Sequence, residues 1–192
     1  MFMVSRWEPN ARERLVEAAL ALYVEHGFEQ TTVVEIAKRA GLAERTFFRY
    51  FTDKREVLFS GAELLEELLV EALRTVPDSV APIDAVARAL NTSARIFEER
   101  RDFAIRRQSV IAANRELQER ELIKLASLSS ALAKGLRARG TDELAADLVA
   151  NAGIAVFKIA FERWIASGGT DDLAHLFDKC FAELKVVTGE GD

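Results

Sequence analysis

Several ingredients of catalytic and secreted proteins are scarce in this sequence. Its single cysteine, Cys180, excludes an internal disulfide and points to a reducing compartment. The two histidines, His26 and His175, have no acidic partner motif, and His175 and Cys180 stand five apart, off the four-residue spacing that puts ligands on one helix face. No zinc site or cysteine–histidine nucleophile is indicated. Glycine-rich phosphate loops are missing, and Gly168-Gly169 reads as a separator between helices. No metal, no cofactor and no enzymatic activity are expected. Long apolar runs are also lacking. The start, MFMVSRWEPN, has no signal-peptide run. The most apolar window, Leu148 to Phe161, looks too short to span a bilayer and carries Asn151 and Lys158. The expectation is a cytoplasmic protein with no membrane partner.

What remains is a chain of 192 residues, 49% apolar and 30% charged, with only three prolines. That suits an ordered, all-α architecture with a sizeable core. The net charge of −5 by itself argues against nucleic acid, but its distribution matters more than its sum. Residues 1–60 hold nine basic and nine acidic side chains, whereas 38–55 hold six basic against two acidic. A basic patch on an acidic body still holds phosphates, and the body helps to orient the approach.

The chain is organised around Thr32 to Leu58. Thr32-Val33-Val34-Glu35 has the form of a capping box, in which the hydroxyl and the carboxylate each take an orphan amide. Ile36, Ala37 and Ala40 follow at helical spacing, and Gly41 ends the helix where a left-handed residue is needed. A second helix, about Ala43 to Phe51, places Phe47 and Phe51 four apart on one face. Two short helices broken at Ala-Gly-Leu make a helix-turn-helix, whose second helix fits a DNA major groove. The outward side chains are Glu44, Arg45, Thr46, Phe48, Arg49 and Tyr50. On an isolated surface helix such arginines are simply solvated. In this motif Arg45 is the candidate for a guanine edge, because its fork matches two major-groove acceptors.

Elsewhere the spacing predicts a first helix over 12–23, closed by His26-Gly27, and a linking helix from Asp53 or Thr52 to Val76, stopped by Pro77. Further helices are expected over 82–99, 102–113, 115–138, 142–167 and 171–187. Gly140-Thr141-Asp142 and Gly169-Thr170-Asp171 echo each other as threonine N-caps with acidic first turns.

Thr32, Glu35, Ile36, Ala37, Ala40-Gly41-Leu42, Thr46-Phe47, Tyr50-Phe51, Lys54 and Leu58 together resemble the N-terminal signature of TetR-type bacterial transcriptional regulators. The resemblance implies a three-helix helix-turn-helix domain over 1–52, joined by a linking helix to a helical ligand-binding and dimerisation domain over 53–192. It implies double-stranded DNA, a second copy of the chain and a small-molecule effector as partners. Residues matching Thr32, Glu44, Arg45, Thr46, Phe48, Arg49 and Tyr50 would touch DNA, and Lys54 a phosphate. Two positions depart from the pattern: Ala43 stands where serine is common, and Phe48 where tyrosine is usual. Each departure removes a hydroxyl worth about 1 kcal/mol if it made a hydrogen bond.

The last two helices carry apolar residues on more than one face, and a helix apolar on two faces wants two partners. Leu148, Ala152, Ala155, Ile159, Leu173, Phe177, Cys180 and Leu184 are the expected homodimer interface, with Ala145, Ala146, Ala150 and Gly153 small enough for close approach. Intrachain core is the plainer alternative. Phe97, Phe103, Ile111, Phe157, Phe161 and Trp164 are the candidate pocket lining, with a polar end from Arg95, Arg106, Arg107, Gln108 and Asn114. The expected function is a repressor released from a palindromic operator by a small apolar or amphipathic effector. The alternative is a helical small-molecule-binding protein that keeps the fold without specific DNA affinity.

Overall fold

The computed structural model describes residues 10–168 and 170–189, and every regular element among them is helical. The readings made on the first nine residues and on Gly169 therefore lie outside the described residues. The helices are α1 (Ala11–His26), α2 (Val33–Arg39), α3 (Glu44–Tyr50), α4 (Ala62–Thr75), α5 (Pro82–Glu99), α6 (Arg101–Ala112), α7 (Arg115–Ala138), α8 (Glu143–Ala166) and α9 (Leu173–Val187).

Start and stop chemistry accounts for the small N-terminal helices. Asn10 and Glu13 form a capping box on α1, and Thr32 and Glu35 form one on α2. Gly27 ends α1 at φ 86° and Gly41 turns the chain after α2 at φ 66°, a region that a side chain strains. Ala43 opens α3 with no side-chain cap, as expected from the missing hydroxyl. Later, the caps of α8 and α9 are Asp142 and Asp172, whose carboxylates accept from Leu144 and Ala145, and from His175. The threonine caps expected at Thr141 and Thr170 are not used. The charged cap is the stronger acceptor at a helix start.

The linking helix is not continuous. A short 3-10 turn, Glu56–Phe59, precedes α4, with Ser60-Gly61 between them. Asp53 caps that turn by accepting from the amides of Arg55 and Glu56. Val57, Leu58 and Phe59 are all buried, and three consecutive residues do not fall on one stripe of an α-helix.

Two apolar clusters result. The first joins α1, α2, α3 and the 3-10 turn with Val110 and Ile111 of α6 and Leu117 of α7. The second is built from α4, α5, α7, α8 and α9. Within it Gly153 fits against Val86, where an added Cβ would lie 2.5 Å from a Val86 methyl. Ala146 and Ala150 are fully buried on the same face. Ala146, Ala150 and Gly153 on α8 therefore serve close packing inside the chain. α8 is 24 residues long with a best-window mean hydropathy of 1.7, enough on length and composition to cross a membrane. The reading that this region is too short to span is thus corrected. Its buried face packs here on α5, α7 and α9.

Candidate nucleic-acid interface and ligand cavity

α3 is seven residues long and is fixed by two rings. Phe47 is fully buried, Phe51 nearly so, and their centroids stand 5.4 Å apart. That anchoring leaves Glu44, Arg45, Phe48, Arg49 and Tyr50 exposed and Thr46 half-buried. Arg49 lies over the Tyr50 ring at 4.8 Å and donates to its hydroxyl at 2.9 Å, so the two side chains form one flat basic surface. Arg45 has no hydrogen bond or ion pair among the described residues. Phe48 is 54% exposed, its ring set edge-on to that of Phe47 at 5.4 Å. Arg14 reaches under the turn to the carbonyl of Ala40 and steadies it. Thr32 is exposed, but its hydroxyl is engaged with Glu35, accepting from the amide at 3.3 Å and donating to the carboxylate at 2.8 Å.

Lys54 is placed differently from expectation. Its ammonium donates to the carbonyls of Phe28, Thr31 and Glu29 at 2.8, 3.0 and 3.2 Å, and lies 4.4 Å from the Phe28 ring centroid. Three donors meet three carbonyls of the loop between α1 and α2, so the ammonium is engaged within its own chain. Beside it the Tyr23 hydroxyl donates to the Lys54 carbonyl at 2.6 Å. Burial, with Asp53 nearby, pushes that phenol well above its ordinary range.

A cavity of about 440 Å³ opens between the 58–66 segment, α5, α6, α7 and α8. Of the six aromatic or bulky side chains expected to line it, Phe97, Phe103, Phe157 and Phe161 do so. Phe97 packs edge-on against Phe161 at 5.2 Å, and Phe157 stacks on Phe161 at 5.8 Å. Ile111 belongs instead to the first core. Trp164 is fully buried behind the cavity wall, donating to Glu98 at 3.0 Å. Of the expected polar end only Arg107 and Gln108 reach the cavity. Arg95 pairs with Glu99, Arg106 with Glu17, and Asn114 bonds the Val110 carbonyl. Gln108 donates to Glu121 at 3.4 Å, and its carbonyl oxygen is buried without a donor. The sequence reading missed Arg100, Glu121, Lys124, Leu125 and Leu128, together with the start of α4. Their signal was faint, because residues from five elements converge here without a shared spacing.

The model for bacterial regulatory proteins of the tetR family matches residues 15–60, and the MftR C-terminal domain model matches 80–188. The chain belongs to the TetR family. The TetR-family match over α1 to the 3-10 turn is echoed by the HTH-type transcriptional regulator TcmR of Streptomyces glaucescens, 35% identical over 80 residues. That alignment spans 42% of this chain and 35% of TcmR, little more than a third of its length. The putative mycofactocin biosynthesis transcriptional regulator MftR of Mycobacterium tuberculosis is 27% identical over 188 residues, 94% of each chain. Among solved structures, FadR of Thermus thermophilus, a TetR-family repressor in complex with lauroyl-CoA, superposes with a TM-score of 0.57 and 26% identity over 94% of both chains. FadR of Bacillus subtilis, in complex with stearoyl-CoA, gives 0.61 at 22% identity, covering 92% of this chain and 98% of that one.

This TetR-family chain also leaves an apolar strip uncovered. Leu144, Leu148, Ala155 and Ile159 are exposed on α8, with Ala152 half-buried beside them, and Val186 and Val187 are exposed at the end of α9. Leu173 and Phe177, expected at the same interface, are instead fully buried within their own chain. α9 turns that face onto α5 and α8. Cys180 and Leu184 are half-buried and pack on the second core.

Proposed function

We propose that the protein is a cytoplasmic, homodimeric DNA-binding transcriptional regulator, a repressor released from a palindromic operator by a small amphipathic effector. The observation that carries this reading is the outward face of α3, where Arg45, Phe48, Arg49 and Tyr50 are uncovered on a helix pinned from behind by Phe47 and Phe51. Base edges are read by Arg45, while Thr46, Phe48, Arg49, Tyr50 and Glu44 contact backbone, sugar or thymine methyl, and Thr32 sets the start of α2. Two copies paired through the Leu148, Ala152, Ala155 and Ile159 strip present two such helices, and paired half-sites lie about 34–36 Å apart.

The effector occupies the cavity lined by Phe97, Phe103, Phe157 and Phe161. A volume of about 440 Å³ suits a small amphiphile. The lauroyl-CoA bound by Thermus thermophilus FadR makes an alkyl tail the natural filling. Ligand and DNA weaken each other reciprocally, because each acts only through its differential affinity for two conformations.

Selection of DNA from a random pool by the purified protein is the test. The proposal expects one palindromic sequence to be enriched, with binding that weakens steeply as salt rises. Arg45→Ala then costs about 1–3 kcal/mol and relaxes preference at one base pair per half-site. If nothing is enriched, the helical binding-protein alternative takes over. Loss that is uniform across sequences would remove Arg45 from the base-reading role.

A further inference from the structure

Two cations at the inner end of the cavity each face two ways. Arg107 lines the cavity, yet its Nε donates to the Leu58 carbonyl at 2.7 Å, its guanidinium lies 5.0 Å from the Phe59 ring centroid, and Nη1 stands 3.2 Å from Glu121. Lys124 also lines the cavity, and its Nζ stands 3.1 Å from one oxygen of Glu56, whose other oxygen accepts from Arg120 at 2.5 Å. A ligand therefore meets the same two side chains that hold the Glu56–Phe59 turn, and that turn joins the helix-turn-helix core to α4.

Arg107 is paired with Glu121, and Lys124 shares Glu56 with Arg120, so both cavity-lining cations hold only part of a carboxylate. The second guanidinium nitrogen of Arg107 has no hydrogen-bond partner among the described residues, and Lys124 has ammonium hydrogens to spare. Burial disfavours the charged form of Arg107, and the Glu121 carboxylate works the other way. The other charged lining differs. Glu162 stands 3.9 Å from Lys158, and Glu63 and Glu66 of α4 have no ion pair among the described residues. Arg100, which also lines the cavity, pairs with Glu17 at 3.7 Å, so Arg107 and Lys124 direct a negative head group to the α6–α7 end and its tail toward the phenylalanines.

Resting on the regulator reading above, we propose that Arg107 and Lys124 are the polar subsite of the cavity and hold the single negative charge of a carboxylate amphiphile. In doing so they release the 56–58 turn. A carboxylate is a stronger acceptor for Arg107 than the Leu58 carbonyl, since charge-assisted hydrogen bonds are roughly twice as strong as neutral ones. Lys124 likewise exchanges part of its contact with Glu56. The turn loses two of its tethers, and the helix-turn-helix core is freed to shift relative to α4.

The test compares four ligands of one tail length, kept below micelle formation: laurate, 1-dodecanol, dodecyltrimethylammonium and lauroyl-CoA. Titration of the full-length protein by calorimetry is expected to show laurate binding about tenfold or more tightly than dodecanol. Arg107→Gln and Lys124→Gln should each remove most of that advantage and leave dodecanol affinity in place. Laurate should also dissociate the protein from its selected DNA, and Arg107→Gln should weaken this release. Equal affinity for laurate and dodecanol, preference for the trimethylammonium, or no binding of laurate overturns the subsite. So does binding of lauroyl-CoA alone, which would put the decisive anion in the nucleotide. Tight laurate binding that leaves DNA affinity untouched overturns the release step. The wild-type ligand comparison needs no variant to fold, and it reads out even if no DNA is enriched, so its failure is distinct from failure of the regulator reading.

Discussion

At the scale of single residues, Lys54 shows how one side chain can carry a recognisable pattern for a reason other than the expected one. The motif suggested a phosphate contact, whereas the ammonium is spent on the carbonyls of Phe28, Glu29 and Thr31 and on the Phe28 ring. Removing it takes a donor from three carbonyls of the α1–α2 loop, of which, among the described residues, only that of Phe28 keeps a backbone partner, the amide of Thr31. Lys54→Met keeps most of the stem and loses the cation, so it is expected to cost about 2 kcal/mol of folding stability in urea titration. DNA affinity should fall only as far as folding does. The slope of log affinity against log salt, which loses about 0.9 for each phosphate contact removed, should stay unchanged. A slope reduced by about one unit would return Lys54 to the phosphate. Arg45 is the contrasting case: it is exposed on α3 and has no hydrogen bond or ion pair among the described residues, which leaves its guanidinium available for the selection test above.

At the scale of elements, the piece that departs from the pattern is the segment between α3 and α4. Leu58, Leu64, Leu65, Leu68, Leu69 and Leu73 read as one helical stripe, and a helix was expected throughout. In α4 only Leu69 and Leu73 of that stripe are buried, with Leu64 exposed, while Asp53 captures two amides ahead of it and Val57 to Phe59 turn inward together. Local capping beat periodicity there. By contrast α5 to α9 were legible to within a residue or two, because Pro82, Gly140 and the apolar spacing all mark the same boundaries.

The same segment makes a prediction about pH. Hydrogen bonds from Arg55 hold the Asp53 carboxyl below its usual range. For Glu56 burial works upward, but the bonds from Arg120 and Lys124 outweigh it, and its carboxyl is lowered as well. A carboxyl depressed on folding contributes stability that is fully present above its unfolded pKa, about 3.9 for Asp and 4.3 for Glu. That contribution is lost as pH falls through the folded value. Asp53 is a third exposed, so water screens its pairing and the combined effect is on the order of 1 kcal/mol. Thermal unfolding should be nearly flat above about pH 5 and decline below about pH 4. Glu56→Gln should shrink the decline, and an identical acid limb in that variant would show that the turn's tethers do not contribute.

At the scale of the whole molecule, the question is what covers α8. The aromatic cavity wall was legible because Phe97, Phe157 and Phe161 are bulky and regularly spaced. Telling core from interface on α8 and α9 was not, because both demand the same apolar residues and only three-dimensional packing assigns Leu173 and Phe177 inward and Leu148 outward. Leu148 is 64% exposed and Leu144 69%, in a strip continued by Ala155 and Ile159. Leaving such a strip in water is costly, at about 25 cal/mol for each Å² of apolar surface. A second copy applying the same strip across a two-fold axis covers both at once. Leu148→Glu places a charge at the centre of that contact and nowhere near either core. It is expected to give a monomer in sedimentation equilibrium with an unchanged helical circular dichroism spectrum. DNA binding should weaken by orders of magnitude, since a lone α3 reads a single half-site and gains nothing from a tethered partner. A variant that stays dimeric would move the interface off this strip. A wild-type protein that is monomeric at micromolar concentration would remove the paired recognition helices, and with them the palindromic operator.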